Sequence, residues 1–342
     1  MRIANQNKNH TMKKILFLIF GLIAFGYAMA QSNITRKTYV YSIKGNDTLH
    51  LDVYINNSIT TKDLRPVMIY VHGGGFSAGS RKNAAQELFC RHFAEQGFVS
   101  VCMDYRLGLA PDNTYNLKGL NDVVRIANED IVSATTFILS KADELQLDPS
   151  TILISGGSAG AIACLTIEND ICNHIDYTKA LPKGFNYAGI ISHAGAIPID
   201  GDTLVWAEKP CPILFFHGDK DNAVPFDKAD IAGSIWVGTK YLHHQFKEMQ
   251  VPHWVYVEKG ADHVMAMKPL IYNHEESDRF YRSFIKEKCN SIVYTEWADK
   301  EPSDMTSVDQ MIKYVPLYII GFGKYLEDLE NAPIERPENI VF

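Results

Sequence analysis

The chain has 342 residues, and 46% of them are hydrophobic, which provides enough apolar material for one large core. Its formal net charge at pH 7 is −7, from 33 basic and 40 acidic residues. An acidic chain of this kind is poorly suited to bind nucleic acid or anionic membrane surfaces. The length and composition therefore fit one α/β domain with additions.

The N-terminus has the pattern of a secretory signal peptide. Met12-Lys13-Lys14 is basic, residues 15–27 form a short apolar run, and Ala28-Met29-Ala30 has the A-x-A form of a cleavage site. We expect cleavage after Ala30, with Met12 as a candidate start of translation, and a secreted or periplasmic mature chain without a membrane span. An uncleaved anchor is the alternative, which the short apolar run disfavours. Cleavage removes four basic residues and no acidic one, which takes the net charge from −7 to −11: Arg2, Lys8, Lys13 and Lys14.

A hairpin and a buried strand come next in the chain. Residues 38–43 and 48–54 alternate apolar and polar side chains around a turn cluster at 44–47, which predicts a β-hairpin. Residues 65–71 predict a buried strand that runs directly into His72-Gly73-Gly74-Gly75-Phe76. Three consecutive glycines after a strand leave the backbone free to approach a ligand and to aim N–H groups at a developing negative charge. A flexible turn is the alternative interpretation.

The following segments predict a second buried strand and a long helix. Residues 98–103 form the strand, and Asp104-Tyr105-Arg106 follows its end; there we expect a structural brace, with Glu129 and Asp130 as candidate partners of Arg106. Apolar residues recur every three or four positions over 121–147, which predicts one amphipathic helix. Alternating strands and helices predict a mostly parallel sheet with helices on both faces, a three-layer α/β sandwich.

The most informative motif is centred on Ser158, in Gly156-Gly157-Ser158-Ala159-Gly160. It lies between an apolar strand signal at 151–154 and a helix signal at 161–165, which is the context that a nucleophile elbow requires. A sharp turn there lifts the serine hydroxyl clear of the backbone. An ordinary turn can have the same five letters, so the neighbouring motifs decide the interpretation.

Two further polar motifs follow predicted strands nearer the C-terminus. Residues 212–216 lead into His217-Gly218-Asp219-Lys220-Asp221, and residues 254–257 lead through a short turn to His263. Open α/β sheets place their sites at the carboxyl ends of strands, so these residues are expected to lie near the serine. The order serine, aspartate, histidine is that of α/β-hydrolases, with Asp221 favoured over Asp219 by position.

At this point the chain resembles the α/β-hydrolase superfamily, specifically its HGGG-type serine carboxylesterases, over roughly residues 38–289. The resemblance implies that Ser158 is the nucleophile, that His263 is the general base and that Asp221 orients the histidine. It also implies an oxyanion hole formed by three backbone N–H groups: those of Gly74, Gly75 and Ala159. Within this branch the chain is similar to secreted carbohydrate esterases that remove acetyl or feruloyl groups.

These residue types suit acyl transfer. The imidazole takes the serine proton in the transition state, and the aspartate fixes the imidazole tautomer. Each backbone donor to the oxyanion is typically worth about 3 kcal/mol. This chemistry needs no metal and no cofactor. Of the other histidines, His193 is either a pocket residue or a structural one, and His243-His244 and His253 are interpreted as solvated surface.

Six cysteines lie in or beside apolar stretches without C-x-x-C spacing: Cys90, Cys102, Cys164, Cys172, Cys211 and Cys289. The pattern favours buried free thiols over a disulfide framework or a zinc site. Export would permit disulfides, and Cys164 and Cys172 are the first pair to consider.

The spacing of the elements leaves little room for a cover over the site. About seven residues separate the cleavage site from the hairpin, and residues 192–211 are a short connection. Enzymes that bind long acyl chains must hide an extended apolar groove from water, so this site is expected to be open. Such a site suits short-acyl esters, either small molecules or esters carried on a polysaccharide.

The sequence therefore predicts a catalytic domain at 31–289 and a C-terminal extension at 290–342 that packs on it, apolar between Met311 and Tyr325. Two other functions stay open. A prolyl-oligopeptidase-type peptidase shares the order of catalytic residues but lacks the HGGG loop and carries a propeller domain. A non-catalytic binding protein on the same scaffold requires the loss of a catalytic residue.

Overall fold

A nine-stranded sheet forms the centre of the protein in the computed structural model, which describes residues 33–110, 119–199, 201–231 and 233–298. The expected signal peptide at 1–30 and the apolar part of the tail lie outside these residues. The strands of the described chain are β1 (Ile34–Lys44), β2 (Asp47–Asn56), β3 (Arg65–Val71), β4 (Val99–Met103), β5 (Leu147–Gly157), β6 (Gly189–His193), β7 (Ala196–Ile199), β8 (Ile213–Gly218), β9 (Lys228–Ile231), β10 (Ser234–Gly238), β11 (His253–Glu258) and β12 (Ile292–Trp297).

The order across the main sheet is β1-β2-β4-β3-β5-β6-β8-β11-β12. The pairs β1–β2 and β2–β4 are antiparallel, and every later pair is parallel. The parallel strands therefore share one carboxyl edge, where the loops that follow β3, β5, β8 and β11 come together. Strands β7, β10 and β9 form a separate antiparallel sheet, which the sequence analysis did not predict.

Helices cover both faces of the main sheet. They are α1 (Ala84–Glu95), α2 (Leu120–Ser140), α3 (Ala142–Leu145), α4 (Ala159–Cys172), α5 (Thr239–Met249), α6 (Pro269–Tyr272) and α7 (His274–Phe280), with single turns of other helix types at Asp176–Ala180, His263–Ala266 and Tyr281–Lys286. None of the helices in the described ranges combines the length and hydropathy that crossing a membrane requires.

Strand β3 shows how the two layers form. Its residues Val67, Ile69 and Val71 pack into the apolar cluster that contains α2, α4 and α5. The alternating residues Met68 and Tyr70 pack into the second cluster, with α1, α6 and α7. A strand buried on both faces has an almost continuous apolar sequence, as this one does. The mostly parallel sheet with helices that the sequence predicted is confirmed.

The helix expected over 121–147 is wrong in its extent. Helix α2 ends at Ser140, the short α3 follows, and Gln146 adopts a left-handed conformation with φ 51°. Leu147 is buried because it begins β5 and pairs with Arg65, so its apolar side chain belongs to a strand and not to a helical face. The β-hairpin is confirmed, with Gly45 at φ 62° in its turn.

Three other expectations concern buried side chains and the tail. His253 is not a surface residue; it is wholly buried at the start of β11, with Nδ1 2.7 Å from the Val251 carbonyl and Nε2 2.8 Å from His243 Nδ1. All six cysteines are free, and only Cys289 is exposed. Residues 292–297 of the tail form β12, which extends the sheet beside β11.

The brace expected at Arg106 is confirmed with both candidate partners. The guanidinium Nε lies 2.9 Å and 3.0 Å from the two carboxylate oxygens of Asp130, and an Nη atom lies 3.0 Å from Glu129 Oε2. Asp130 is wholly buried. Burial raises the pKa of its carboxyl group, while the hydrogen bonds from Arg106 act in the opposite direction.

We predict that Arg106→Met lowers the free energy of unfolding by about 3–5 kcal/mol, because it leaves the Asp130 carboxylate buried without its cation. Arg125 is the matched control: it pairs with the same Glu129 at 2.7 Å, but its side chain is 51% exposed. Arg125→Met should cost less than about 1 kcal/mol. Urea denaturation of both variants tests this, and equal losses would contradict the brace.

Candidate active site

Ser158 occupies a sharp turn between β5 and α4. Its backbone has φ 53° and ψ −121°, a conformation that L-residues rarely adopt. The amide N–H of Ser158 donates to the His193 carbonyl at 2.9 Å, and its carbonyl accepts from the Ile162 amide at 2.9 Å. Hydrogen bonds on both sides of the residue therefore hold the turn in place.

Close backbone contact explains why the motif around Ser158 has glycine two residues before and two residues after the serine. A Cβ atom at Gly160 would lie 2.0 Å from the Val71 carbonyl oxygen, and one at Gly156 would lie 2.4 Å from the Gly160 carbonyl carbon. No side chain fits at either position without moving the backbone. Helix α4 consequently starts directly against the end of β3, close to the glycine loop that follows that strand.

The structure brings Ser158, His263 and Asp221 together. His263 begins the helical turn after β11, and its Nε2 lies 2.8 Å from Ser158 Oγ. Its Nδ1 lies 2.8 Å from Asp221 Oδ2. Since a carboxylate only accepts hydrogen bonds, Nδ1 carries the proton and Nε2 accepts from the serine hydroxyl. The serine is therefore paired with a base whose tautomer suits proton removal.

The Asp221 carboxylate is fully buried and well supplied with donors. Its Oδ1 accepts from the amides of Ala223 and Val224, both at 2.9 Å. Its Oδ2 faces His263 and, at 3.4 Å, Nε2 of His217. Burial raises the pKa of this carboxyl group, but the hydrogen bonds from His217 and His263 outweigh it and hold the pKa well below the ordinary value. Asp221 is therefore an anion in any neutral solution.

The rival aspartate is used elsewhere. Asp219 Oδ2 forms an ion pair with Lys259 at 2.8 Å, and Oδ1 accepts from the Gly260 amide at 2.6 Å. These contacts join the loop after β8 to the loop after β11. Asp219 thus ties together the two loops that carry Asp221 and His263.

The three amides expected to stabilise an oxyanion lie in the glycine loop and at the start of α4. Gly74 has φ 120° and Gly75 has φ 61°, conformations that favour glycine. Ala159 is the first residue of α4, where an amide has no acceptor within the helix. Within the described part of the chain, none of these three N–H groups donates to an acceptor. They are available to a negatively charged oxygen, which the positive end of the α4 dipole also favours.

Arg81 anchors the far end of the glycine loop, a contact that the sequence analysis missed. Its amide donates to Asp104 Oδ1 at 2.8 Å, and its guanidinium pairs with the same carboxylate. Arg81 Nε also lies 3.1 Å from Asp52 Oδ1. At the near end of the loop, the His72 ring stacks on Tyr105 with 4.3 Å between centroids. The loop is therefore attached at both ends to the carboxyl end of β4.

A small cleft opens beside Ser158. Apolar side chains of α6 and the turn before it form one side, and polar side chains near the start of α1 form the other. Its lining residues are Tyr70, Gly73, Asn83, Gln86, Gly157, Ser158, Ala266, Met267 and Leu270. The cleft is narrow, so it suits a small group.

His193 does not line this cleft. Its ring is wholly buried beside Phe89 and Phe216, with centroid separations of 5.6 Å and 5.5 Å. Neither ring nitrogen has a hydrogen-bond partner among the described residues. Burial, with a smaller contribution from His274, lowers its pKa to about 3, so the ring is neutral. Its role at the site is structural, through the carbonyl that accepts from Ser158.

The side chains that usually hold metals do not cluster here. In the ranges 33–110, 119–199, 201–231 and 233–298, no group of three or more histidine, cysteine, aspartate or glutamate side chains is arranged to bind a metal ion.

Comparison with known proteins agrees with this geometry. Residues 51–199 match the model of the BD-FAE family, an esterase family of the α/β-hydrolase type. Gut esterase 1 of Caenorhabditis elegans is 26% identical over 309 residues, which cover 88% of this chain and 48% of that protein. The gibberellin receptor GID1B of Arabidopsis thaliana is 28% identical over 100 residues, 29% of this chain and 27% of the receptor. The chain spans about half the length of the first of these relatives.

Among solved structures, the esterase Est2 of Thermogutta terrifontis superposes with a TM-score of 0.55 and 21% identity, covering 72% of this chain and 91% of that one. This likeness establishes the fold. The resemblance to α/β-hydrolase serine carboxylesterases that the sequence predicted is confirmed.

Proposed function

We propose that the protein is a carboxylic ester hydrolase that works through a Ser158 acyl-enzyme. The observation that carries this proposal is the chain of two 2.8 Å contacts from Ser158 Oγ through His263 to Asp221. The family match and the esterase relative support the same activity. Serine is a poor nucleophile unless a base takes its proton, and this arrangement supplies the base.

Reaction begins when Ser158 Oγ attacks the ester carbonyl carbon and its proton passes to His263 Nε2. The imidazolium that forms is stabilised by the buried Asp221 carboxylate. The carbonyl oxygen becomes an oxyanion, which the amides of Gly74, Gly75 and Ala159 stabilise. His263 then protonates the departing alcohol. Water, activated by the same histidine, releases the acid and restores the serine.

The direct test is removal of the nucleophile. We predict that Ser158→Ala lowers kcat for p-nitrophenyl acetate by roughly 10⁶-fold, as loss of a catalytic serine does elsewhere, while the melting temperature changes little. Ser155 is the matched control, since it is a buried serine of the same strand whose hydroxyl donates to the Ile191 carbonyl at 2.9 Å. Ser155→Ala should keep its activity. A Ser158→Ala enzyme with normal turnover would disprove the proposal.

A second prediction separates the two aspartates. Asp221→Asn should lower kcat by about 10⁴-fold, because an amide no longer holds the required tautomer of His263. Asp219→Asn should leave kcat nearly unchanged and reduce stability slightly, since its carboxylate pairs with the half-exposed Lys259. Steady-state kinetics and thermal melts of the two variants test this. A large loss of kcat in Asp219→Asn, together with a nearly normal kcat in Asp221→Asn, would show that the roles are reversed.

The size of the cleft supports short acyl groups as substrates, either on small molecules or on a polysaccharide. An apolar wall contributes about 0.8 kcal/mol of binding free energy for each acyl methylene that it buries, and methylenes beyond the end of the cleft gain nothing. Leu270, which is 1% exposed, bounds the cleft on its apolar side. An acetyl or feruloyl ester of a carbohydrate is the substrate class that the sequence resemblance suggests.

We predict that kcat/KM for p-nitrophenyl esters falls steeply beyond four acyl carbons, and that Leu270→Ala raises kcat/KM for the hexanoate about fourfold per methylene accommodated. Leu64→Ala serves as control, because Leu64 is 58% exposed and precedes β3 at the opposite edge of the sheet. An acyl-chain series from acetate to dodecanoate measures the effect. Efficiency that rises towards dodecanoate in the wild type would contradict the short-acyl proposal.

A role as a binding protein is the second candidate, because the gibberellin receptor is among the relatives. The intact contacts of Ser158, His263 and Asp221 favour hydrolysis, since a protein that only binds does not need them. Secretion remains a prediction from the sequence of residues 1–30. Cell fractionation of the expressed chain with an antibody against the catalytic domain tests it.

A further inference from the structure

His217 is the last residue but one of β8, in register with Val257 of β11, and its side chain is wholly buried. The backbone around it is tightly packed. A Cβ atom at the next residue, Gly218, would lie 2.3 Å from the Ala261 carbonyl oxygen. The histidine is thus held in place at the end of β8, four residues before Asp221, which lies in the loop that follows this strand.

The hydrogen bonds of His217 define its tautomer. Nδ1 lies 2.8 Å from the hydroxyl of Thr239, the first residue of α5. Nε2 lies 3.2 Å from the Val224 carbonyl and 3.4 Å from Asp221 Oδ2. Both neighbours of Nε2 are acceptors, whereas a hydroxyl can donate. Nε2 therefore carries the proton and donates to the Val224 carbonyl, with Asp221 Oδ2 3.4 Å away on the same side, and Nδ1 accepts from Thr239.

This arrangement supplies donors to both oxygens of the Asp221 carboxylate. The amides of Ala223 and Val224 hold Oδ1, and His217 and His263 hold Oδ2. Among the described residues, the ionisable side chains paired with the carboxylate are those two histidines, one from β8 and one from the turn after β11. Rotation of the carboxylate away from His263 would break contacts on both oxygens.

We infer that His217 is a positioning residue for the reaction: with Thr239 as its anchor, it holds Asp221 Oδ2 towards His263 and directs its N–H dipole at the carboxylate. The inference rests on the proposed esterase activity. Burying an imidazole in this core costs free energy unless hydrogen bonds satisfy its two nitrogens, and an apolar side chain would avoid that cost. The satisfied hydrogen bonds of His217 instead lead to the aspartate.

The inference predicts a specific change in pH dependence. Without the His217 donor, the pKa of Asp221 rises, because one of the bonds that lowers it is gone. More of the carboxylate charge then acts on His263 and stabilises its protonated form. The acid limb of the kcat/KM profile should therefore move to higher pH. Loss of packing alone would lower activity without moving this limb.

The experiment compares three variants at two positions with a matched control. His217→Leu removes the donor, His217→Gln keeps an amide donor near the position of Nε2, and Thr239→Val removes the anchor while it keeps the imidazole. His253→Leu is the control, since His253 is another wholly buried strand histidine, at the opposite end of the neighbouring strand. For each variant, kcat, KM, the pH profile and the urea midpoint are measured with p-nitrophenyl acetate.

His217→Leu should lower kcat about ten- to a hundredfold, the range expected for loss of a hydrogen bond to a charged group, with KM nearly unchanged. Its acid limb should move to higher pH, and His217→Gln should recover most of the activity. Thr239→Val should change kcat and the acid limb in the same direction, with a smaller loss of kcat. His253→Leu should lose stability and keep the wild-type profile.

Two results would overturn the inference. One is a His217→Leu enzyme with wild-type kcat; the other is a loss of kcat with an unmoved acid limb and no rescue by glutamine. If His217→Leu does not fold, Thr239→Val decides in the same way. A wild-type protein that does not hydrolyse the ester would instead contradict the proposed function, so the two failures are distinguishable.

Discussion

The contact between the first turn of α4 and the end of β3 constrains the rest of the site. Gly160 lies so close to the Val71 carbonyl that no Cβ fits between them. A helix that starts at this distance requires an abrupt turn after β5, and Ser158 takes the rare backbone conformation of that turn. The same closeness places the free amide of Ala159 beside the glycine loop, which starts one residue after β3.

The buried carboxylate of Asp221 is a second constraint on the site. A carboxylate without solvent access is costly unless donors surround it, and Asp221 receives them from two backbone amides and two imidazoles. The loop that carries Asp221 follows directly from the end of β8, and the glycine loop is held by the contact between Arg81 and Asp104. The site therefore combines a strained serine and a buried anion with loops that are tied to the sheet.

Much of this organisation could be predicted from the sequence, because it depends on local signals. Apolar runs followed by polar motifs indicated the parallel strands and their shared carboxyl edge, and the motif around Ser158 indicated the turn. The spacing of the motif after β8 favoured Asp221, and the structure gives that residue, not Asp219, the contact with His263. The brace at Arg106 followed from its position at a strand end.

The remaining features depend on pairings that no local pattern encodes. Arg81 and Asp104 are 23 residues apart, and His217 bonds to Thr239, which lies 22 residues later in the chain. The strand start at Leu147 continued a helical periodicity and could be distinguished only by its pairing with Arg65. His253 is a polar residue in a buried strand, satisfied by His243, which the surrounding sequence did not reveal.

The central claim is that Ser158 is an activated nucleophile. Paraoxon phosphorylates such serines, so mass spectrometry of the treated protein tests the claim without any assumption about the natural substrate. We predict one diethylphosphoryl adduct, located on the peptide that contains Ser158. The absence of an adduct, or an adduct on another residue while Ser158 stays unmodified, would contradict the account.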